Sequence, residues 1–445
     1  MAGDKKLSER DLSPDQLEVY QAMLSWAEGG RSGLTRLARE STGASILTVG
    51  GYAGTGKTTL LSVFAKSTKL LVAYVSYTGR ASSILRRKLS AAGVKTTTLL
   101  RRSDEDAETG GDGFYDDNLG EASGPPLCST IHRLLYRPVI DPKTEELRGW
   151  VKRNKLDRRY DLVVVDEASM VGDDILEDIK SHGVPVMAVG DHGQLPPVRS
   201  SGDLMKRPNL RLEKIHRQAE GNPIIALSRH IREGGYLSDF EETNTNAVRF
   251  MSKSSIGSLL AKAYAEASSP LDVGVLCWTN KMRVRLNAIA RGAAGRKGPP
   301  KKGEPVICLK NRPPAYNGMR GVLTEDATVD DPKGPSPWIL FATIEFPEDG
   351  ITPVNYELCA PQFMRETTFA SVEELNQRGI PIHAMSAAGD FYDFGYAMTV
   401  HKSQGSQFAN GFVFFDRPER PQEEDYRRWA YTAVTRASER LTVVR

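Results

Sequence analysis

Cysteine is scarce in this chain, with four in 445 residues. Cys128, Cys277, Cys308 and Cys359 lie far apart and form no C-x-x-C pair. Neither a zinc site nor a disulfide framework is expected, and a reducing cytoplasm is the simplest compartment. Long apolar runs are also lacking, so no membrane partner is expected. The opening MAGDKKLSERD has no apolar segment of the secretory kind. Nor is there an excess of one charge: 59 Lys+Arg against 56 Asp+Glu leave a net +3. Bulk charge therefore gives no pointer to nucleic acid, and any basic track must be a local arrangement. What remains, 40% hydrophobic and 26% charged residues, is the balance of an ordinary globular protein. The length suits about two to four domains.

Short apolar strands alternate with helices in the first half. Ser13-Pro14-Asp15-Gln16 opens a helix with Leu17, Tyr20, Met23 and Leu24 on one face. Runs at 46–50, 70–76, 162–166 and 185–190 read as buried strands of a parallel sheet covered on both faces. Residues 103–126, rich in Asp, Glu and Gly, read as an insertion or loop. Two β-prone runs at 136–153 flank the turn Asp141-Pro142-Lys143 and suggest a projecting hairpin. The second half repeats the α/β pattern at 273–278, 411–415 and 441–444. The basic, Gly- and Pro-rich stretch 296–303 marks a boundary, and 304–385 reads as a small β-rich insertion. The expected division is 1–220 and 221–445.

The chemistry is concentrated in two strings. Residues 51–58 read G-Y-A-G-T-G-K-T, the pattern of a phosphate-binding P-loop, and they sit between a strand and a helix. Glycines let successive backbone N–H groups face phosphate oxygens, and the helix N-terminus adds its dipole. Gly51, Ala53, Gly54, Thr55, Gly56, Lys57, Thr58 and Thr59 are the expected ATP cradle. Lys57 would reach the β- and γ-phosphates and Thr58 would ligate Mg²⁺. The strand LVVVD ends in Asp166-Glu167. Asp166 suits a Mg²⁺ contact, and Glu167 can polarise an attacking water.

Further strings follow in a fixed order. Thr78-Gly79-Arg80-Ala81, Ser129-Thr130-Ile131-His132, Asp166-Glu167-Ala168-Ser169 and Gly190-Asp191-His192-Gly193-Gln194-Leu195-Pro196-Pro197 occupy the first half. Leu212–Gln218, Trp278-Thr279-Asn280, Thr399–Gly405 and Tyr431–Ala437 come after them. Together these resemble the superfamily 1B DNA helicases, the group of Dda- and RecD-type enzymes. The match runs from about Leu12 to the C-terminus, is broken by 103–126, and is weakest in 304–385.

The resemblance implies two RecA-like P-loop NTPase domains with parallel sheets. It adds a strand-separating pin at about 136–153 and a small SH3-like insertion at about 304–385. It implies that Gln16 reads adenine, although Ser13 and Gln16 also fit a capping box, and both roles are compatible. It makes Gln194 a γ-phosphate sensor and Arg217 and Arg436 arginine fingers, Arg436 from a distant domain that completes the site on closure. Thr78, Arg80, His132, Trp278, Asn280, Thr399, His401 and Lys402 become DNA contacts, His132 on the resemblance alone. Trp150 is open between contacting bases and packing at the hairpin base.

The expected activity is ATP-dependent translocation along single-stranded DNA, 5′→3′ by resemblance, with unwinding of forked or tailed duplexes. ATP and Mg²⁺ are the cofactors, a monomer is the expected state, and replication or recombination proteins are candidate partners. Two alternatives stay open: a nucleotide-gated DNA-binding ATPase that does not unwind, and an RNA helicase, since backbone contacts do not identify the sugar.

Overall fold

The computed structural model describes residues 8–29, 45–97, 125–140, 147–197, 202–214, 221–240, 247–312, 315, 317–329, 334, 336–349, 351–383 and 385–445. The acidic segment (except Pro125 and Pro126), the hairpin turn Asp141-Pro142-Lys143 and Arg217 lie outside the described residues. The chain divides into two compact units, Met1–Gly221 and Asn222–Arg445.

The first unit begins with α1 (Pro14–Gly29). The capping box is formed: the Ser13 N–H donates to Gln16 Oε1 at 3.1 Å and the Gln16 N–H to Ser13 Oγ at 3.4 Å. Then come β1 (Ile46–Gly51), α2 (Lys57–Ser67), β2 (Val72–Ser76), α3 (Gly79–Ala91), β3 (Leu127–Thr130) and α4 (Ile131–Leu135). A hairpin of β4 (Tyr136–Ile140) and β5 (Leu147–Lys152) precedes β6 (Leu162–Asp166), α5 (Asp173–Lys180), β7 (Val186–Gly190) and β8 (Leu210–Leu212). The sheet order is β3-β2-β6-β7-β1-β8, with every pairing parallel.

Strand period explains why these runs are apolar without alternation. Leu162 and Val164 of β6 face one core, with Tyr20, Met23, Leu60, Leu61 and Phe64 from α1 and α2. Val163 and Val165 face the other, with Ile131, Leu134, Ile175 and Ile179 from α4 and α5. Each fully buried Leu or Phe contributes roughly 1.5–3 kcal/mol of burial free energy.

The second unit holds α6 (Pro223–Arg232), β9 (Val248–Met251), α7 (Ile256–Glu266), β10 (Val273–Cys277) and α8 (Asn280–Ala293). After the inserted strands come β16 (Ala397–Thr399), β17 (Phe408–Phe414), α10 (Glu424–Val434) and β18 (Ala437–Val444). The order β16-β10-β17-β18-β9 is again wholly parallel. The insertion is an antiparallel sheet, β14-β13-β12-β11-β15. It uses β11 (Pro305–Cys308), β12 (Arg320–Leu323), β13 (Ile339–Phe346), β14 (Ile351–Cys359) and β15 (Tyr392–Phe394), with the short α9 (Val372–Asn376) between the last two. It therefore extends past residue 385.

Arg320 fastens the insertion to the parallel sheet. Its buried guanidinium donates to Leu271 O and Val273 O at 3.1 Å, to Gly395 O at 2.9 Å and to Pro270 O at 3.4 Å. Asn287 of α8 spans the same joint, bonding Phe394 O at 3.0 Å and the Ala397 N–H at 2.8 Å. Carbonyl oxygens take the Nη donors of this buried arginine and so offset much of its desolvation.

Candidate nucleotide and strand-contact sites

In an open parallel sheet, ligands gather beyond the carboxyl ends of the strands. The loop after β1 follows that rule. Gly54 and Gly56 hold φ of 82° and 78°, in the left-handed region that glycine enters without cost. Gly56 is also the N-cap of α2. The Thr55 hydroxyl donates to Tyr52 O at 2.8 Å, which keeps the loop turned. The Lys57 ammonium lies within the loop, donating to Gly51 O at 2.6 Å and Tyr52 O at 3.0 Å, with Asp191 Oδ2 at 3.7 Å. Ala53 in that loop and Thr59 in the first turn of α2 are half-buried. Buried Gln16 does both things the sequence left open to it structurally: it closes the α1 cap, and its Nε2 donates to Thr55 O at 3.0 Å. The side chain thereby ties α1 to the P-loop.

Asp166 and Glu167 follow β6, two strands from β1. Burial, with the neighbouring Glu167 carboxylate second, raises the Asp166 pKa to about 6. The Glu167 N–H at 3.0 Å and the ammonium groups of Lys88 and Lys57 oppose that rise. Glu167 itself sits at φ 55°, one of two described non-glycine residues at positive φ. Such strain costs of order 1–3 kcal/mol and clusters at functional sites. Lys88 on α3 went unnoticed in the sequence; its Nζ lies 3.3 Å from Thr58 Oγ1.

Among the described residues, no three His, Cys, Asp or Glu side chains gather as a protein-only metal site. A hydroxyl and one carboxylate instead suit Mg²⁺, which is commonly held by one or two protein oxygens plus nucleotide phosphate. Thr58 and Asp166 supply those types, and the Lys57 ammonium inside the loop marks where anionic phosphate belongs.

The turn after β7 is built on Asp191. Its buried carboxylate accepts the Gly193 N–H at 2.9 Å and Gln194 Nε2 at 3.5 Å. The His192 ring lies 4.0 Å from the Tyr52 ring, so this turn touches the P-loop directly. Gly190 permits a second close approach. A Cβ there would fall 2.8 Å from Met205 Sδ and 3.1 Å from the Ser169 amide nitrogen. Gln194, Glu167 and Lys57 are thus parts of one packed region of the first unit.

The candidate strand contacts emerge beside them. Thr78 caps α3, its Oγ1 accepting the Ala81 N–H at 3.2 Å, and Arg80 occupies the first turn, half-buried. His132 on α4 sits between two tyrosines, with ring centroids 5.6 Å from Tyr77 and 5.8 Å from Tyr136. Burial lowers its pKa, so the ring is neutral near pH 7. Trp150 lies half-buried on β5, opposite Pro138.

In the second unit, β10 and β16 pair in parallel with Cys277 opposite Thr399. Trp278-Thr279-Asn280 and Thr399–Lys402 therefore leave the sheet side by side. Asp416, beyond β17, holds the first of these and was not legible in sequence. It accepts the Trp278 N–H at 2.8 Å, the Thr279 N–H at 3.1 Å and the Thr279 hydroxyl at 2.8 Å. Trp278 stacks on Trp429 at 4.7 Å, with the Arg417 guanidinium 4.6 Å from its ring. Exposed Asn280 accepts from Arg283 Nε at 3.1 Å. Lys402 is half-buried; burial, then the Arg283 charge, lowers its pKa to about 8. Burial also lowers the pKa of His401. Arg436, buried just beyond α10, donates from Nη1 to Ser406 O at 3.2 Å, while its Nε has no partner among the described residues.

Sequence comparison places two family matches on the chain. Residues 34–249 match the AAA domain family, and residues 394–444 match the UvrD-like helicase C-terminal domain. The ATP-dependent RecD2 DNA helicase of Deinococcus radiodurans is 25% identical over 349 residues, 73% of this chain and 40% of that protein. The RecBCD enzyme subunit RecD of Buchnera aphidicola is 31% identical over 159 residues, 35% of this chain and 23% of that subunit. The chain thus spans well under half the length of these relatives. A structure of Pif1 helicases at forked double-stranded DNA aligns at 18% identity, covering 97% of this chain and 92% of that one, with a TM-score of 0.48. A Bacteroides Pif1 helicase with ADP-AlF3 and single-stranded DNA gives 18% identity, 93% and 91% coverage and 0.46. Scores below 0.5 add nothing to a fold that the two parallel sheets already define.

Proposed function

Starting from a chain that belongs to the RecD-like helicases of superfamily 1B, we propose an ATP-driven motor that moves 5′→3′ along single-stranded DNA and opens duplex. The observation that carries this is the clustering at the strand ends of the first unit. The phosphate loop, the Asp166-Glu167 pair and the Gln194 turn lie beside the segments carrying Thr78, Arg80 and His132. In this reading hydrolysis and strand contact share the carboxyl ends of one sheet's strands.

Lys57 then leaves its loop carbonyls for the β- and γ-phosphates. Thr58 and Asp166 hold Mg²⁺, which would neutralise charge developing on the phosphate oxygens. Glu167 takes a proton from the attacking water, and Gln194 senses the γ-phosphate. Gln16 reads adenine with the amide capacity it retains. Arg217 and Arg436 supply positive charge to the transition state. The groups at Trp278, Asn280, Thr399, His401 and Lys402 grip the DNA backbone from the second unit, and cycles of grip and release become steps.

The deciding experiment is steady-state ATP turnover with and without single-stranded DNA, followed by strand displacement on 5′- and 3′-tailed duplexes. Strong stimulation and displacement of the 5′-tailed substrate are expected. DNA binding without stimulation or displacement would favour a nucleotide-gated switch. Equal or greater stimulation by matched RNA would make the substrate RNA.

A further inference from the structure

A two-stranded hairpin is marginal on its own, so its direction has to be imposed from outside. In β4–β5, among the described residues, one carboxylate takes a side chain from each strand. Tyr136 and Lys152 are cross-strand partners at the hairpin base. The Tyr136 hydroxyl donates to Asp178 Oδ2, and Lys152 Nζ donates to Asp178 Oδ1 at 2.6 Å. Each strand therefore sends one side chain to one oxygen of the same residue. The hydrogen bonds from Lys152 and then Tyr136 lower the Asp178 pKa, so the anion persists well below neutrality.

Asp178 stands on a rigid element. Ile175 and Ile179 lock α5 under the sheet, and α5 is the first α-helix after Glu167. On its other side, the Tyr136 ring adjoins His132. Trp150 and Lys152 share one strand face by the two-residue period.

We infer that Asp178 is a positioning residue that fixes the angle of the 136–152 hairpin on the ATPase unit. Strand separation then depends on it and ATP hydrolysis does not. The inference rests on the helicase reading, because it assigns the hairpin the task of parting strands.

The test compares the full-length chain with Asp178→Ala, Lys152→Met and the conservative Asp178→Glu. Three quantities are read: displacement of a labelled strand from a tailed duplex, ATP turnover at saturating single-stranded DNA, and amide exchange across Tyr136–Ile140 and Leu147–Lys152. Asp178→Ala is expected to slow displacement about ten- to a hundredfold, the scale of a misplaced working group, with ATP turnover little changed. Lys152→Met shows a smaller loss and Asp178→Glu a partial rescue. Amide exchange in both strands quickens in Asp178→Ala. Unchanged displacement, or displacement and turnover falling in parallel, overturns the inference. If the parent chain displaces nothing, it is the helicase reading that fails. Exchange then decides the clamp alone: faster exchange in both strands keeps Asp178 as the anchor, and unchanged exchange removes it.

Discussion

Glu167 combines the chemical role proposed for it with a backbone penalty. A left-handed conformation costs an L-residue roughly 1–2 kcal/mol, and glycine escapes that cost. Residue 167 is the N-cap of the 3-10 turn Ala168–Met170, so the chain turns sharply as it leaves β6. Two substitutions separate strain from chemistry. Glu167→Gln is expected to bind ATP and lose turnover about 10²–10⁴-fold, the range for removing a general base. Glu167→Gly is expected to be more stable than Glu167→Ala by about 1 kcal/mol, the reverse of the usual order, because Ala keeps the strain. Urea unfolding of the two variants checks this; Ala equal to or above Gly would mean that the positive φ is not a stored cost. The residue type was readable from LVVVD-E. The strain was not, because φ is set by the packing of Ala168 and Ser169 beneath β7 and not by the local string.

At the scale of elements, legibility followed distance along the chain. The P-loop, the hydrolysis motif and the turn after β7 are local strings at the ends of long apolar strands, and they were readable. Strands β3, β8 and β16 span only three or four residues and carry no period to detect. Asp178 and Asp416 reach partners 42 and 138 positions away, so no local pattern marks them. Arg320 lies within a β-prone run, and only the fold reveals that its guanidinium is a staple.

The corner where α8 meets the turn after β16 has a pH consequence. Lys402 is pressed by burial and by Arg283, and the nearby Cys308 and Asp393 offset this only in part. Its folded pKa of about 8 lies below the ordinary lysine value of 10.5. The charged form therefore costs stability in full below about pH 8. That cost is relieved as pH rises toward 10.5, where the unfolded chain still holds the proton. In the proposed function DNA binding runs the other way, because the grip assigned to Lys402 needs the charge. Affinity for single-stranded DNA at fixed ionic strength is expected to fall as pH rises above about 8, and Lys402→Arg should flatten that fall, since arginine stays protonated. Anisotropy titrations at several pH values check it. An identical decline in parent and Lys402→Arg would assign the loss to another group.

Across the whole molecule, the two parallel sheets are built alike yet carry different duties. The first has the P-loop, the paired carboxylates and the turn proposed as a sensor. The second has a tryptophan motif, a lysine turn and Arg436, linked within that unit because Arg436 Nη1 reaches Ser406 O just beyond the lysine turn. Among the described residues, this buried guanidinium holds one carbonyl and its Nε meets no acceptor, so it is incompletely satisfied. Such a group gains most from an anionic partner that takes several donors together, which is what a transferring phosphoryl group offers. Among the described residues Arg320 makes four carbonyl contacts from its Nη atoms and Arg436 one, so Arg436 has donors left for the finger role proposed for it. Arg436→Ala is therefore expected to lower ATP turnover about 10³-fold or more while nucleotide affinity changes little. Arg436→Lys should recover little, because a point charge cannot reproduce the planar fork. Rapid-mix turnover beside equilibrium binding of a fluorescent ATP analogue reads the two quantities separately. A loss of affinity matching the loss of turnover would place Arg436 in ground-state binding, and a fall in unfolding free energy with turnover intact would return it to the structural class.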